Sequence, residues 1–345
     1  MAQEFIDYVG KYKLDPAKTA LWMMKSTLSC NLSMFPCHIR SLLQAHGNGM
    51  EQASIYLGGL SFMEISVRLP VNNYFAYMFG GLLRRMACKV RPYEKQKGDT
   101  DRVLKKSVDL LEKTFQAGGS KREALEKIVS DFEAVDTLPG ERTQVALFGD
   151  LYVRDNDFMN RDLIRFIEAH GGEVITTPYS SYVKMLAGQY LRKWFLEGKY
   201  LDTLTTRALV AAIRYREKTY YPYFERILKE PDWEFDVSPQ QILSEYHLRL
   251  ENTGESMDNI LKIFYLLRHH PDISLFVQTS PAFCCPSIIT EAMAGQIEQK
   301  TGVPVVSVTY DGTGGNKNEV VIPYLKYPRK DRNPGKRKRT REKGA

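Results

Sequence analysis

Between Val145 and Thr177 the chain alternates in a way that leaves few folds open. Val145-Ala-Leu-Phe148 is a short apolar run fit for a strand. Phe158 to Ala169 carries apolar residues at Leu163, Ile164, Phe166 and Ile167, the spacing of a helix face, and after Gly171-Gly172 the run Glu173 to Thr177 reads as a second strand. Strand, helix and strand in so short a span imply a parallel pair joined by a right-handed crossover. Parallel sheets occur almost only with helices on both faces, so the fold class is α/β.

The same alternation recurs at both ends. Thr19 to Met24 is a candidate strand that runs into a polar turn carrying Cys30; Pro36 to Ala45 reads as a helix stopped by Gly47; Ala53 to Leu57 is a strand ended by Gly58-Gly59. Near the other end, Ile273 to Val277 reads as a buried strand, a Ser-Pro turn follows, and Cys284-Cys285-Pro286 opens a helix expected to reach Lys300, before the strand Val303 to Thr309. Between these lie an aromatic helix from Val71 to Met86, whose continuation carries Cys88 as a core residue, and amphipathic helices at Asp99–Phe115 and Ser120–Phe132. Long helices rich in Tyr, Arg and Lys span 180–229, and a helix is expected from Asp258 to Leu267. Asp136 to Thr143, with Pro139 and Gly140, is the best linker candidate. The expected architecture is two Rossmann-like (flavodoxin-like) lobes with parallel sheets and helical insertions: 1–135 as an N-terminal lobe with a helical extension, 141–325 as a C-terminal lobe, and 326–345 as a disordered basic tail.

Charge bears on partners only once it is located. The formal charge is +7, yet residues 326–345 hold ten Lys and Arg against Asp331 and Glu342, which leaves the other residues close to neutral. Such a tail solubilises or attracts anions weakly, and nucleic-acid binding is not expected from it. No apolar run is long enough for a membrane span, and the N-terminus lacks the basic start and apolar middle of a signal peptide. Five cysteines in 345 residues do not suggest a disulfide framework, so a reducing, cytoplasmic setting is expected.

The candidate site follows from strand ends. Cys284 and Cys285 fall at the carboxyl end of one strand and just before a helix, where open α/β sheets build sites and where the helix N-terminus favours a thiolate. Cys30 has the equivalent local setting, which makes each a candidate ligand or nucleophile; buried space-filling is the competing reading. The loop after Phe148 faces the same edge and offers Asp150, Arg154, Asp155 and Asn156 for polar contacts, Asp155-Asn156 being equally suited to capping a helix. His269-His270 suit a helix end and make no metal pair by themselves. The loop Asp311-Gly-Thr-Gly-Gly-Asn316 matches neither the dinucleotide nor the Walker pattern, and close backbone approach is the weaker reading left for it. No C-x-x-C, zinc-spacing or Ser/His/Asp motif occurs.

Several ordered segments resemble one family. Phe283-Cys-Cys-Pro286, Val303-Pro-Val-Val-Ser-Val-Thr309, Asp311-Gly-Thr-Gly-Gly, Phe148-Gly-Asp-Leu-Tyr-Val-Arg-Asp-Asn-Asp-Phe-Met-Asn160, Thr19 through Cys30 and Arg91-Pro-Tyr-Glu to Asp101 are similar to 2-hydroxyacyl-CoA dehydratase-type iron–sulfur proteins. Among these, the large activator-related members are the nearest in pattern, and the likeness covers nearly the whole chain except its basic tail. The resemblance implies α/β lobes meeting at a cleft that holds a 4Fe-4S cluster on loop cysteines. Cys30 and Cys284 fall on the metal-binding positions; Phe283, Asp150, Arg154, Asn156 and Glu255 would line the cleft, with Cys285 a further cofactor-binding candidate. It implies companion subunits with further cysteines, an ATP-dependent activator that passes an electron to the cluster, and an acyl-CoA thioester; a homodimer is compatible with it.

The pattern departs from the family where Leu-Ser-Cys-Asn-Leu-Ser replaces Gly-Pro-Cys-Arg-Phe-Gly, and no ATPase motif occurs, so the chain is not expected to be the activator. Two matched cysteines do not complete four thiolate ligands. The rest would come from Cys37 or Cys285, from a partner, from a non-cysteine ligand, or not at all. The competing reading is a non-catalytic, metal-free assembly protein of the same fold that partners an ATPase.

Overall fold

The computed structural model describes residues 1–24, 31–58, 69–178, 180, 181, 184, 191, 194–249 and 257–328. It is α/β with two parallel sheets. A small one pairs β1 (Ala20–Met24) with β2 (Ser54–Gly58). Helices α1 (Ala2–Lys11) and α2 (Phe35–His46) close it around Phe5, Val9, Met23, Ile39 and Leu43. As expected, Gly47 ends α2, at a positive φ of 67°.

The larger sheet holds β3 (Thr143–Gly149), β4 (Gly172–Thr176), β5 (Leu275–Pro281) and β6 (Val305–Tyr310) in the order β4-β3-β5-β6, all parallel. Alternate residues serve two cores. Val145 and Leu147 face one side with Leu275, Val277, Val306 and Val308, while Ala146, Phe148 and Phe276 face the other. The first side is covered by α7 (Leu163–Ala169) and α13 (Ile322–Lys326), the second by α9 (Pro239–Ser244) and α10 (Asp258–His269). Burial on both faces explains why these strands read as unbroken apolar runs.

A third core is helical. α3 (Leu69–Val90), α4 (Asp99–Ala117) and α5 (Lys121–Glu133) pack with the C-terminal half of α8 (Tyr200–Leu228) around Phe75, Phe79, Leu125, Phe132 and Phe224. Segment 136–142 is pinned along its length: Lys95 and Leu138 exchange backbone bonds with Asp136 and Tyr93, and Arg142 donates to the Pro92 carbonyl. Cys88, expected in the core, is fully buried, and burial pushes its thiol up to about 12.

Two helices differ from expectation. The helix read from Phe158 begins only at Leu163 as α7, because Asn156 accepts from the Met159 amide and Arg161 and Asp162 both take positive φ, and the loop read after Phe148 instead holds a short helix, α6 (Leu151–Asp155). The helix expected from Pro286 to Lys300 is α11 (Cys285–Ala292) and α12 (Ala294–Thr301), with the backbone leaving helical geometry at Met293 (ψ −1°).

Candidate functional site

Strand order locates the site. From β3 the chain crosses to β4 on one side, while β5 flanks β3 on the other, so the direction of winding reverses between β3 and β5. Ligands of open α/β sheets bind outside the carboxyl ends of the strands at such a reversal. Here the two strands come unusually close. Gly149 has φ 116°, and a Cβ on it would fall inside contact distance of the Thr279 carbonyl oxygen and amide nitrogen. Only glycine ends β3 in this way.

The loops leaving these two strands bring part of the expected site together. Asp150 donates its amide to the Thr279 carbonyl (2.9 Å) and caps α6, accepting from the Val153 amide at 2.8 Å. Arg154 is buried and binds Asp155 through Nε (2.8 Å) and Nη2 (2.7 Å), while its Nη1 is buried without a hydrogen-bond partner. Burial pushes the Asp155 carboxyl up, but Arg154 beside it, with Arg84 and Lys262, wins and holds it below the usual carboxylate range. Cys284 is the half-buried N-cap residue of α11, and Cys285, its first residue, is exposed. The turn between β5 and Cys284 depends on Phe283 at φ 63°, an uncommon conformation for a bulky residue, with its ring 80% exposed.

Other expected members are elsewhere. Asn156 turns away to accept from the Met159 amide and to hydrogen-bond Glu4 of α1, which also accepts from the Tyr152 hydroxyl at 3.0 Å; it joins the two sheet units. Neither Asp155 nor Asn156 caps the start of a helix: Asn156 follows α6 and accepts from Met159 in a turn, and it is Asn160 that accepts from the Leu163 amide at the start of α7. Cys30 and Glu255 lie outside the described residues. Cys37 is exposed on α2. The loop after β6 closes on itself: Asp311 accepts from Thr313 and pairs with Lys317, and Cβ atoms at Gly312, Gly314 or Gly315 would meet open space, so positive φ rather than close approach within the chain accounts for Gly312 and Gly315.

Sequence reading missed a buried polar chain beneath the cysteine turn. Ser307 Oγ accepts from Gln278 Nε2 (3.3 Å), which also donates to the Ser287 carbonyl (3.0 Å). Asn259 Nδ2 donates to Gln278 Oε1 (3.2 Å) and Thr290 Oγ1 (3.1 Å), and Lys262 Nζ reaches Asn259 Oδ1 and the Gly149 carbonyl. Gln278, Asn259, Thr290 and Lys262 are at most 4% exposed. The chain ties β3, β5, β6 and α10 to the first turns of α11. Its only sequence signal is the i, i+3 pair Asn259 and Lys262 on an otherwise apolar helix face.

Among the described residues no group of three or more His, Cys, Asp or Glu is disposed to hold a metal ion, and none of the described helices is long and apolar enough to cross a membrane. Compared with family models, with curated proteins and with solved structures, the chain matches none.

Proposed function

We propose that the chain is a subunit of a 2-hydroxyacyl-CoA dehydratase-like or acyl-CoA reductase-like system, built as two Rossmann-like, flavodoxin-like lobes. Cys284 is the thiolate that the C-terminal lobe offers to an iron–sulfur cluster. The observation that carries this reading is the seat of Cys284: half-buried, at the N-cap of α11, just past the carboxyl end of β5 where the winding reverses. Helix N-termini favour the thiolate, the form that binds metal.

The donor set supports part of a cluster. A 4Fe-4S centre takes four thiolates. Cys284 and Cys285 stand at this edge, Cys37 is on α2 and Cys88 is sealed in the core. The remaining donors in this proposal are Cys30 and cysteines of companion subunits, in a reducing, cytoplasmic setting. Bound there, the cluster would supply a low-potential electron, delivered by an ATP-dependent activator, to an acyl-CoA thioester. The chain's own part is to hold Cys284 in place: Asp150 clamps the end of β5, and the Asn259–Gln278 chain fixes α11 from below.

Anaerobic purification tests this, with the chain alone and co-expressed with companion subunits. The expected product is brown and contains iron and sulfide; Cys284→Ala and Cys30→Ala lose them, and Cys88→Ala keeps them. Iron-free protein in every combination, or full iron in Cys284→Ala, overturns the proposal; the first outcome leaves the metal-free assembly protein.

A further inference from the structure

The N-terminal half of α8 turns an apolar face away from the molecule. Leu201, Leu204, Ala208, Ala211 and Tyr215 follow one another at alternating intervals of three and four residues, the spacing of a heptad seam. On a helix they and Ala212 fall within an arc of about 100°, in a stripe about 21 Å long. All six are exposed, Leu201 at 79%, Leu204 at 66% and Tyr215 at 76%. The opposite side of the same helix is spent on the fold. Tyr221 and Phe224 enter the helical core there, and buried Glu217 accepts from the Tyr74 hydroxyl (2.6 Å) and pairs with Lys184. The helix therefore has two apolar faces, one packed and one exposed. Phe195 and Tyr200, edge to face at 5.4 Å and both more than half exposed, extend the outer face at its N-terminal end. Contiguous exposed apolar surface of this kind marks an interaction site.

Charge beside the stripe selects the occupant. Arg207, Arg214 and Lys218, all exposed, run along one flank, and exposed Arg216 lies on the other. From Thr203 to Tyr220 the only acid is Glu217, on the packed side. In paired helices the residues flanking the seam choose partner and orientation by charge. A second copy of this chain offers these cations no carboxylate. Aligned in parallel, Arg207 and Arg214 would meet Ala212 and Thr219; antiparallel, they would meet each other. An anionic lipid surface would attract the cations, but Ala208, Ala211 and Ala212 in the middle of the stripe would bury little apolar area in it. Small residues there suit the close approach of another helix.

We infer that this face docks an acidic amphipathic helix of another protein, whose apolar seam packs on Leu201, Leu204 and Tyr215 and whose carboxylates reach Arg207 and Arg214. The surface needs no cysteine and is independent of the cluster proposal.

The test is titration calorimetry of the full chain with two synthetic heptad peptides. Both carry leucine along the seam; one has glutamate and the other lysine at the flanking positions. Saturable binding of the glutamate peptide is expected, with the lysine peptide about tenfold weaker or more. Leu204→Asp weakens the glutamate peptide by about tenfold or more, the loss expected for one buried leucine. Arg207→Glu/Arg214→Glu reverses the preference, an outcome that neither a folding defect nor the basic segment 326–345, present in every variant, can produce. Thermal melting checks that each variant folds. No saturable binding, glutamate-peptide affinity unchanged in Leu204→Asp, or a preference that survives the double reversal overturns the assignment. So does a dimer in sedimentation that Leu204→Asp dissociates, which gives the stripe to a second copy, or binding to phosphatidylserine vesicles that Leu204→Asp abolishes, which gives it to lipid.

Discussion

Gly149 and Asn160 each do at one position what the surrounding chain cannot. With Gly149 at φ 116° and its α-carbon against the Thr279 backbone, a methyl group would meet main chain rather than a yielding side chain. Gly149→Ala is expected to cost roughly 3 kcal/mol or more, read as a lower urea midpoint with an unchanged slope. Asn160, fully buried, donates to the Val153 and Arg154 carbonyls at 2.8 and 2.9 Å and accepts from the Leu163 amide, while its own carbonyl accepts from Asn318. Asn160→Ala strands three buried backbone groups and is expected to cost roughly 2–4 kcal/mol in the same measurement. Sequence reading could pick out Asp150 and Arg154 from their place after a strand, but their contacts could not be read. Arg154 spends its fork on its own neighbour Asp155, and Asn156 turns toward α1, because side-chain direction in a loop is settled by what packs around it.

At the scale of elements, periodicity was informative and punctuation was not. The strands and the apolar helix faces are legible because a doubly covered parallel sheet demands them. The late start of α7 was not, since it is set by the Asn156 and Asn160 side chains and by two charged residues at positive φ, with neither proline nor glycine to announce it. The same holds for the bend at Met293. The polar chain from Ser307 to Lys262 escaped for a related reason: Gln278 within Phe276-Val-Gln-Thr looks like a flaw in a buried strand until β6 and α10 supply its partners. Asn259→Leu removes a donor from both Gln278 and Thr290 and is expected to loosen α11. Hydrogen exchange of the Ser287–Thr290 amides should then quicken more than that of β3, whereas uniform quickening across the sheet would mean simple global destabilisation.

Among the described residues, charged knots connect the cores, including Arg91 with Glu168, Lys184 with Glu217 and Asp232, and Arg85 with Glu230 beside the histidine pair. The last should give the fold a distinct acid response. Burial, reinforced at His269 by His270 and Arg268 and at His270 by Arg85, pushes His269 down to about 4 and His270 down to about 3, against an ordinary 6.5 that applies when the chain is unfolded, while the Glu230 carboxylate 2.8 Å from His270 Nε2 works against the shift there. Below about pH 6.5 the unfolded chain therefore takes up protons that the native chain refuses, at His269 above all, and stability falls with pH until the native pKa values are reached. At pH 5 the loss is up to about 2 kcal/mol for each ring. Glu168 and Glu217, raised by burial, act oppositely, gaining protons in the native state first. Comparing wild type with His269→Phe/His270→Gln subtracts those carboxylates. Urea unfolding from pH 7 to 4.5 should show the wild type losing stability more steeply than the variant, the difference opening below pH 6.5; parallel curves would mean that both imidazoles titrate normally in the folded protein.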